Sequence, residues 1–186
     1  NGNFIWFTYL ENTVDQSGNF VPTIITDPTC PAGGTCRIIE IDLKNFGIHT
    51  LPEQFGDNIF GIVNLQTLDL SDNQLSEIPP SFSELDDLDH LDLNHNNLNS
   101  LPEDFSDLDL IYLNLAYNNI SELPPDFESM INLQHLDLRE NNIQDFYYSG
   151  FPELSILFLE GNRISEFSDG FCEIGCNDEN ENGIWD

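Results

Sequence analysis

Apolar residues return along this chain on a fixed plan. Segments beginning at Leu65, Leu88, Leu110, Leu133 and Leu154 each carry apolar residues at positions 1, 4 and 6, asparagine at 9 and an apolar residue at 11. Their starts lie 23, 22, 23 and 21 residues apart. An earlier copy from Ile38 keeps the apolar positions but has Phe46 where the asparagine should stand, and 27 residues separate its start from Leu65. Alternation over positions 3 to 7 predicts a short strand with positions 4 and 6 pointing inward and 3, 5, 7 and 8 reaching solvent. One such unit cannot bury its own leucines. Stacked units, spaced by roughly 4.8 Å, form a parallel sheet over one continuous core.

The remaining positions of the period fit the same picture. Asn73, Asn96, Asn118, Asn141 and Asn162 fall where the chain leaves the strand and turns inside the stack. There a side-chain amide can satisfy backbone groups that no strand reaches. Pro52, Pro79, Pro102 and Pro124 follow apolar position 14, with Phe55, Phe82, Phe105 and Phe127 three residues later. Proline bars a strand or helix interior, so the outer side should be extended, turn-like or one short helical turn per unit. The phenylalanines should fill the back of the core. After Leu133 the outer segment becomes FYYSGF and the proline is lost, which marks the regular array as ending.

LQTLDLSDNQLSEIPPSF, LDHLDLNHNNLNSLPEDF, LIYLNLAYNNISELPPDF, LQHLDLRENNIQDF and LSILFLEGNRISEF together resemble the leucine-rich repeat family over about residues 38–171. The resemblance implies an α/β solenoid, with a parallel sheet on the concave face and turns with short helical or 3-10 segments on the convex one. Residues 1–37 would then be an amino-terminal cap segment, 38–171 about six coils, and 172–186 a carboxy-terminal cap with an acidic tail. It also implies a non-enzymatic scaffold that binds another protein on its concave face. Position 3 of that face reads Glu40, Thr67, His90, Tyr112, His135, Ile156; position 5 reads Asp42, Asp69, Asp92, Asn114, Asp137, Phe158; position 8 reads Asn45, Asp72, His95, Tyr117, Glu140, Gly161. Residues His90, Tyr112, Tyr117, His135, Arg139 and Phe158 are the candidate binding surface, because aromatic and arginine side chains dominate binding energy at interfaces. The aspartates of position 5 read more simply as solvated filler.

Charge narrows the partners. Against 34 acidic residues stand four basic ones, Arg37, Lys44, Arg139 and Arg163, for a net charge of -30. Such a surface repels phosphate backbones and anionic lipid, so nucleic acid and membrane insertion are not expected. No run approaches the roughly 18 apolar residues of a membrane-spanning helix. Self-repulsion on this scale calls for screening by salt or by divalent cations. The expected partners are another protein or copies of the chain itself. Catalysis has little support, since carboxylates this abundant are undiagnostic and no nucleophile stands beside a base in a known motif.

Three features outside the repeats carry their own chemistry. Cys30 and Cys36 lie before the first coil, Cys172 and Cys176 after the last. Six coils at roughly 4.8 Å would separate the pairs by about 25 Å, whereas a disulfide needs Cα atoms within roughly 7 Å. Local bonds, Cys30 to Cys36 and Cys172 to Cys176, are therefore expected. Their CP and GC contexts, without a nearby histidine, disfavour zinc. Paired-cysteine caps of this kind in the family imply an extracellular, secreted or cell-surface location, and the chain's start at Asn1 is expected to reflect processing of a longer product. In the tail, Asp178, Asn180 and Asn182, then Gly183, Ile184 and Asp186, resemble positions 1, 3, 5, 6, 7 and 9 of a calcium loop of the EF-hand and dockerin type, making calcium the expected cofactor. The glutamate of position 12 would fall beyond residue 186.

Phe4, Ile5, Trp6, Phe7 and Tyr9 form an assembly candidate, apolar on both faces of any strand they make. They either fold back through residues 18–25 as part of the cap or add a strand to a neighbouring copy, which would make the chain a subunit of an extracellular fibre or surface layer. Peptide mapping of the oxidised chain should find the two local cysteine pairs; a bond between the Cys30 or Cys36 end and the Cys172 or Cys176 end would contradict the stacked arrangement.

Overall fold

A computed structural model describes residues 23–26, 38–57, 62, 64–146, 151–164 and 166–167 of the chain. The repeat period becomes one short strand per coil. After β1 (Thr23–Thr26) come β2 (Ile38–Asp42), β3 (Thr67–Asp69), β4 (His90–Asp92), β5 (Tyr112–Asn114) and β6 (His135–Asp137), then β7 (Asp145–Phe146), β8 (Ile156–Phe158) and β9 (Glu166–Phe167). The main sheet runs β1-β2-β3-β4-β5-β6-β8. From β2 to β8 the pairing is parallel, and positions 3, 4 and 5 of one coil face the same positions of the next. This is the expected solenoid.

Position 9 keeps the coils in register. The Asn96 amide nitrogen donates to the carbonyls of Leu70 and Leu93, one in each of two coils, at 3.0 Å. Its oxygen accepts the Leu75 N–H of the preceding coil at 2.9 Å. Asn73, Asn118, Asn141 and Asn162 repeat the arrangement. The exception at Phe46 now has a reason: each asparagine ties its coil to the one before, and the first coil has no repeat before it. Phe46 instead packs its ring against the core, while its N–H donates to Asn73 Oδ1.

Leucines at positions 1, 4 and 6 of the inner coils are fully buried in one cluster that runs the length of the stack. On the outer side the proline carbonyl accepts the N–H of the phenylalanine three residues on, at Pro52–Phe55, Pro79–Phe82, Pro102–Phe105 and Pro124–Phe127. That bond defines a 3-10 turn, and proline opens it without loss because no N–H is required there. The turns at Pro80–Glu84, Glu103–Asp107 and Phe127–Ser129 each bury their phenylalanine. The Phe55 and Phe82 rings stack at 5.4 Å. Gly56 lets the long first turn touch the second, since a Cβ there would lie 1.6 Å from the Ser81 carbonyl oxygen.

Where the prolines stop, the outer side changes element. β7 and β9 pair in parallel as a second, two-stranded sheet, Asp145 opposite Glu166 and Phe146 opposite Phe167. At the other end β1 lies antiparallel to β2, with Thr23 opposite Asp42, so the first coil's edge is covered by preceding chain. The cysteine pairs Cys30, Cys36 and Cys172, Cys176, the calcium-loop candidates Asp178, Asn180, Asn182, Ile184 and Asp186, and the apolar segment Phe4, Ile5, Trp6, Phe7 and Tyr9 lie outside the described residues.

Asn96→Ala should cost about 2 kcal/mol or more, because the buried Leu75 N–H loses its acceptor, at about 1–3 kcal/mol, and the Leu70 and Leu93 carbonyls, which keep Asn73 and Asn118, each lose one of two donors. Urea denaturation checks it against Asn99→Ala, an exposed change expected to stay within about 0.5 kcal/mol; equal effects would remove the structural role assigned to position 9.

Candidate functional site

The strands bring the candidate side chains into a continuous row. On the concave face the His90 and Tyr112 rings stack at 5.9 Å and 12°. Tyr112 lies 4.6 Å from His135, and His135 meets Phe158 edge-on at 5.8 Å. The row closes on Arg139, whose guanidinium carbon lies 4.6 Å over the Phe158 ring. Arg139 also grips Asp137 through Nε, at 3.0 and 3.1 Å to the two carboxylate oxygens, and through Nη2. That fork buries Asp137 and raises the Arg139 pKa, chiefly through the hydrogen bond to Asp137.

Tyr117 belongs to a second row. It stacks on His95 at 4.2 Å and 14°, and His95 Nδ1 lies 3.9 Å from Asp72. The backbone under this row is unusual. Asn45, Asp72, His95, Tyr117, Glu140 and Gly161, the whole of position 8, have φ between 51° and 72°. Such a conformation is uncommon for a side-chain-bearing residue, and for a bulky one such as tyrosine it costs roughly 1–3 kcal/mol and persists only where its surroundings enforce it. They do: each position-8 N–H from Asn45 to Glu140 donates to the position-7 carbonyl of the next coil, as Tyr117 does to Arg139 at 2.8 Å.

Position 5 does more than face water. Asp42, Asp69, Asp92, Asn114 and Asp137 each accept, through a side-chain oxygen, the N–H two residues on, an Asx turn that ends the strand. The expectation that position 7 reaches solvent fails at Ser71 and Ala116, both buried. Small side chains there lie under the turn, whereas Lys44 and Glu160 extend past it to become exposed. Burial raises the pKa of Asp92, with the Asp69 carboxylate adding to it and hydrogen bonds from Asn94 and Asn114 opposing it. Tyr112 is likewise raised, by burial first and then by Asp92.

Sequence reasoning missed the left-handed column and the turn role of position 5. The first had a signal, since asparagine, aspartate, histidine and glycine tolerate positive φ and fill four of its six places. Among the described residues no group of three or more His, Cys, Asp or Glu side chains converges as a metal site, and no helix is long and apolar enough to cross a membrane.

A family model described as leucine rich repeat matches residues 63–120 and 110–164. Among solved structures, a leucine-rich repeat protein of Leptospira interrogans is similar to this chain, with a TM-score of 0.59 and 26% identity. The match covers 68% of this chain and 38% of that one, so the chain spans well under two thirds of that protein's length. No curated protein matches the chain at a significant level.

Because Asp92 holds its proton more tightly folded than unfolded, its share of stability is present below the unfolded carboxylate pKa of about 3.9 and is lost as pH rises through the folded value. Asp92→Asn lacks that loss. The melting temperature of the variant relative to the unsubstituted chain should therefore rise between about pH 3 and pH 7; a flat or falling difference would contradict the burial argument.

Proposed function

We infer that this chain, which belongs to the leucine-rich repeat family, reads a partner polypeptide with its concave face and does so outside the cell. Members of the family generally serve as protein-binding scaffolds rather than enzymes. The observation that carries the reading is the double aromatic row, His90–Tyr112–His135–Phe158 and His95–Tyr117, with Tyr117 46% exposed on a strained backbone. Strain of that kind persists where the surroundings enforce it and tends to cluster at binding and catalytic sites. A ring fixed in place loses little freedom on binding, so the face is organised before the partner arrives.

The extracellular part of the reading rests on the two cysteine pairs and on a charge of -30 that calcium or salt would screen. The loop candidates from Asp178 to Asp186 supply oxygen ligands suited to calcium. A second reading, end-to-end assembly into a fibre or surface layer, draws on the last coil: Leu157, Leu159 and Ile164 are only partly buried where their counterparts are fully so. Light scattering of the concentrated chain with calcium decides that reading, and a monomer would overturn it.

For the concave face, peptides selected from a random display library on the full chain should depend on both rows. Tyr112→Ala and Tyr117→Asn, the latter because asparagine accepts the left-handed backbone, should each weaken them tenfold or more, about 1.4 kcal/mol. Glu103→Gln on the convex side should not. Binders indifferent to both tyrosines would place the binding surface elsewhere.

A further inference from the structure

Arg139 shows how this face holds a cation. Its guanidinium sits on the position-5 carboxylate of its own coil, Asp137, and against the ring of the next, Phe158. It can do so because position 7 of that coil is an arginine. In the three preceding coils position 7 is Ser71, Asn94 and Ala116, so no cation of those coils covers position 5.

The carboxylates of Asp69 and Asp92 face each other across β3 and β4, and no ion pair to either forms among the described residues. Lys44, in the first coil, is engaged by Asp72 at 3.1 Å. Rings flank Asp92 on both sides in chain order, His90 at position 3 and His95 at position 8, each stacked on a tyrosine of the next coil, Tyr112 and Tyr117; Asp69 lies one coil earlier, beside Asp92 in the sheet. Carboxylates beside aromatic faces make a site for a planar cation, since a guanidinium can donate a fork of hydrogen bonds to carboxylate oxygens and lie against a ring at the same time.

We propose that Asp69 and Asp92, with the His90, Tyr112, His95 and Tyr117 rings beside them, form a binding site for arginine side chains of a partner's extended, cationic segment. The proposal rests on the concave-face reading and names its partner by chemistry. A partner guanidinium would occupy in coils two and three the place on the position-5 carboxylate that Arg139 occupies in coil five. The charge of the whole chain favours approach of such a segment, while the paired carboxylates and rings decide where it stops. Arginine is preferred to lysine, whose ammonium offers a point charge without a plane to stack.

The test uses the full chain and a short capped peptide of arginine alternating with serine, with lysine and glutamate counterparts, by calorimetry at about 150 mM salt, where the Debye length is about 8 Å. Two variants remove the same charge: Asp69→Asn with Asp92→Asn on the concave face, and Asp104→Asn with Asp107→Asn on the exposed convex turn. Asn114 already makes the position-5 turn, so the concave pair should keep its fold, which circular dichroism checks. The expected result is tenfold or greater weakening of the arginine peptide by the concave pair and under twofold by the convex pair. Tyr112→Leu, which changes no charge, should weaken the arginine peptide more than the lysine one. Equal weakening by both pairs would reduce the effect to general attraction by a polyanion and overturn the site. Library-selected peptides that need Tyr112 and Tyr117 yet carry no net positive charge would overturn the cationic partner while leaving the concave-face reading intact.

Discussion

Each asparagine at position 9 binds backbone groups of two coils at once, and the rest of the molecule depends on that bond set. Strands of three residues are too short to fix their own register, and a slip of one residue would turn every leucine outward. The amide prevents the slip by requiring that the position-6 carbonyls of two coils and the position-11 N–H of the earlier one meet at one buried point. Because the groups it satisfies are buried, the alternative to this geometry is several unpaired polar groups in an apolar core. The core can then be uniform leucine, since register comes from polar groups and leucine needs only to fill volume.

A stack so held can afford a costly surface. The same inter-coil ladder that continues past the strands holds position 8 in a left-handed conformation, and through it His95 and Tyr117 are fixed as a stacked pair. Position 5 ends the strands of coils two, three and five with a carboxylate and so brings Asp69, Asp92 and Asp137 into one column. Structure and recognition therefore share residues on this face: the aspartates that close the turns are also the charges a partner meets. At Asp137 the chain neutralises that charge itself with Arg139. At Asp69 and Asp92 it does not; burial lifts the pKa of Asp92, and the neighbouring Asp69 carboxylate adds to the rise.

Much of this was legible in the sequence because a period repeated five times averages out accident. Strand positions, the asparagine ladder, the buried phenylalanines and the outer 3-10 turns all follow from residues 38–146 read as one template. What lay beyond reach were the features that depend on backbone conformation or on a neighbouring coil. Tyr117 gives no sign by itself of a positive φ; the sign lies in its column mates Asn45, Asp72 and Gly161. The burial of Ser71 and of Asp137 depends on what lies over them, for Asp137 the Arg139 fork. The small sheet of β7 and β9 replaces the proline turn only where the proline is missing, and nothing in EF or DF taken singly predicts that they pair.

The central claim is that binding takes place on the concave face, at the rings fixed by the stack. The chain has five tyrosines, of which Tyr112 and Tyr117 lie in the two rows and Tyr9, Tyr147 and Tyr148 stand outside them in the sequence. Fluorine labelling of all the tyrosines, with resonances assigned by single Tyr→Phe variants, gives a separate reporter for each. Titration with the arginine peptide should shift the resonances of Tyr112 and Tyr117 together, saturating at one affinity, and leave Tyr9, Tyr147 and Tyr148 in place. Saturable shifts confined to the latter three, with Tyr112 and Tyr117 unmoved, would contradict the account.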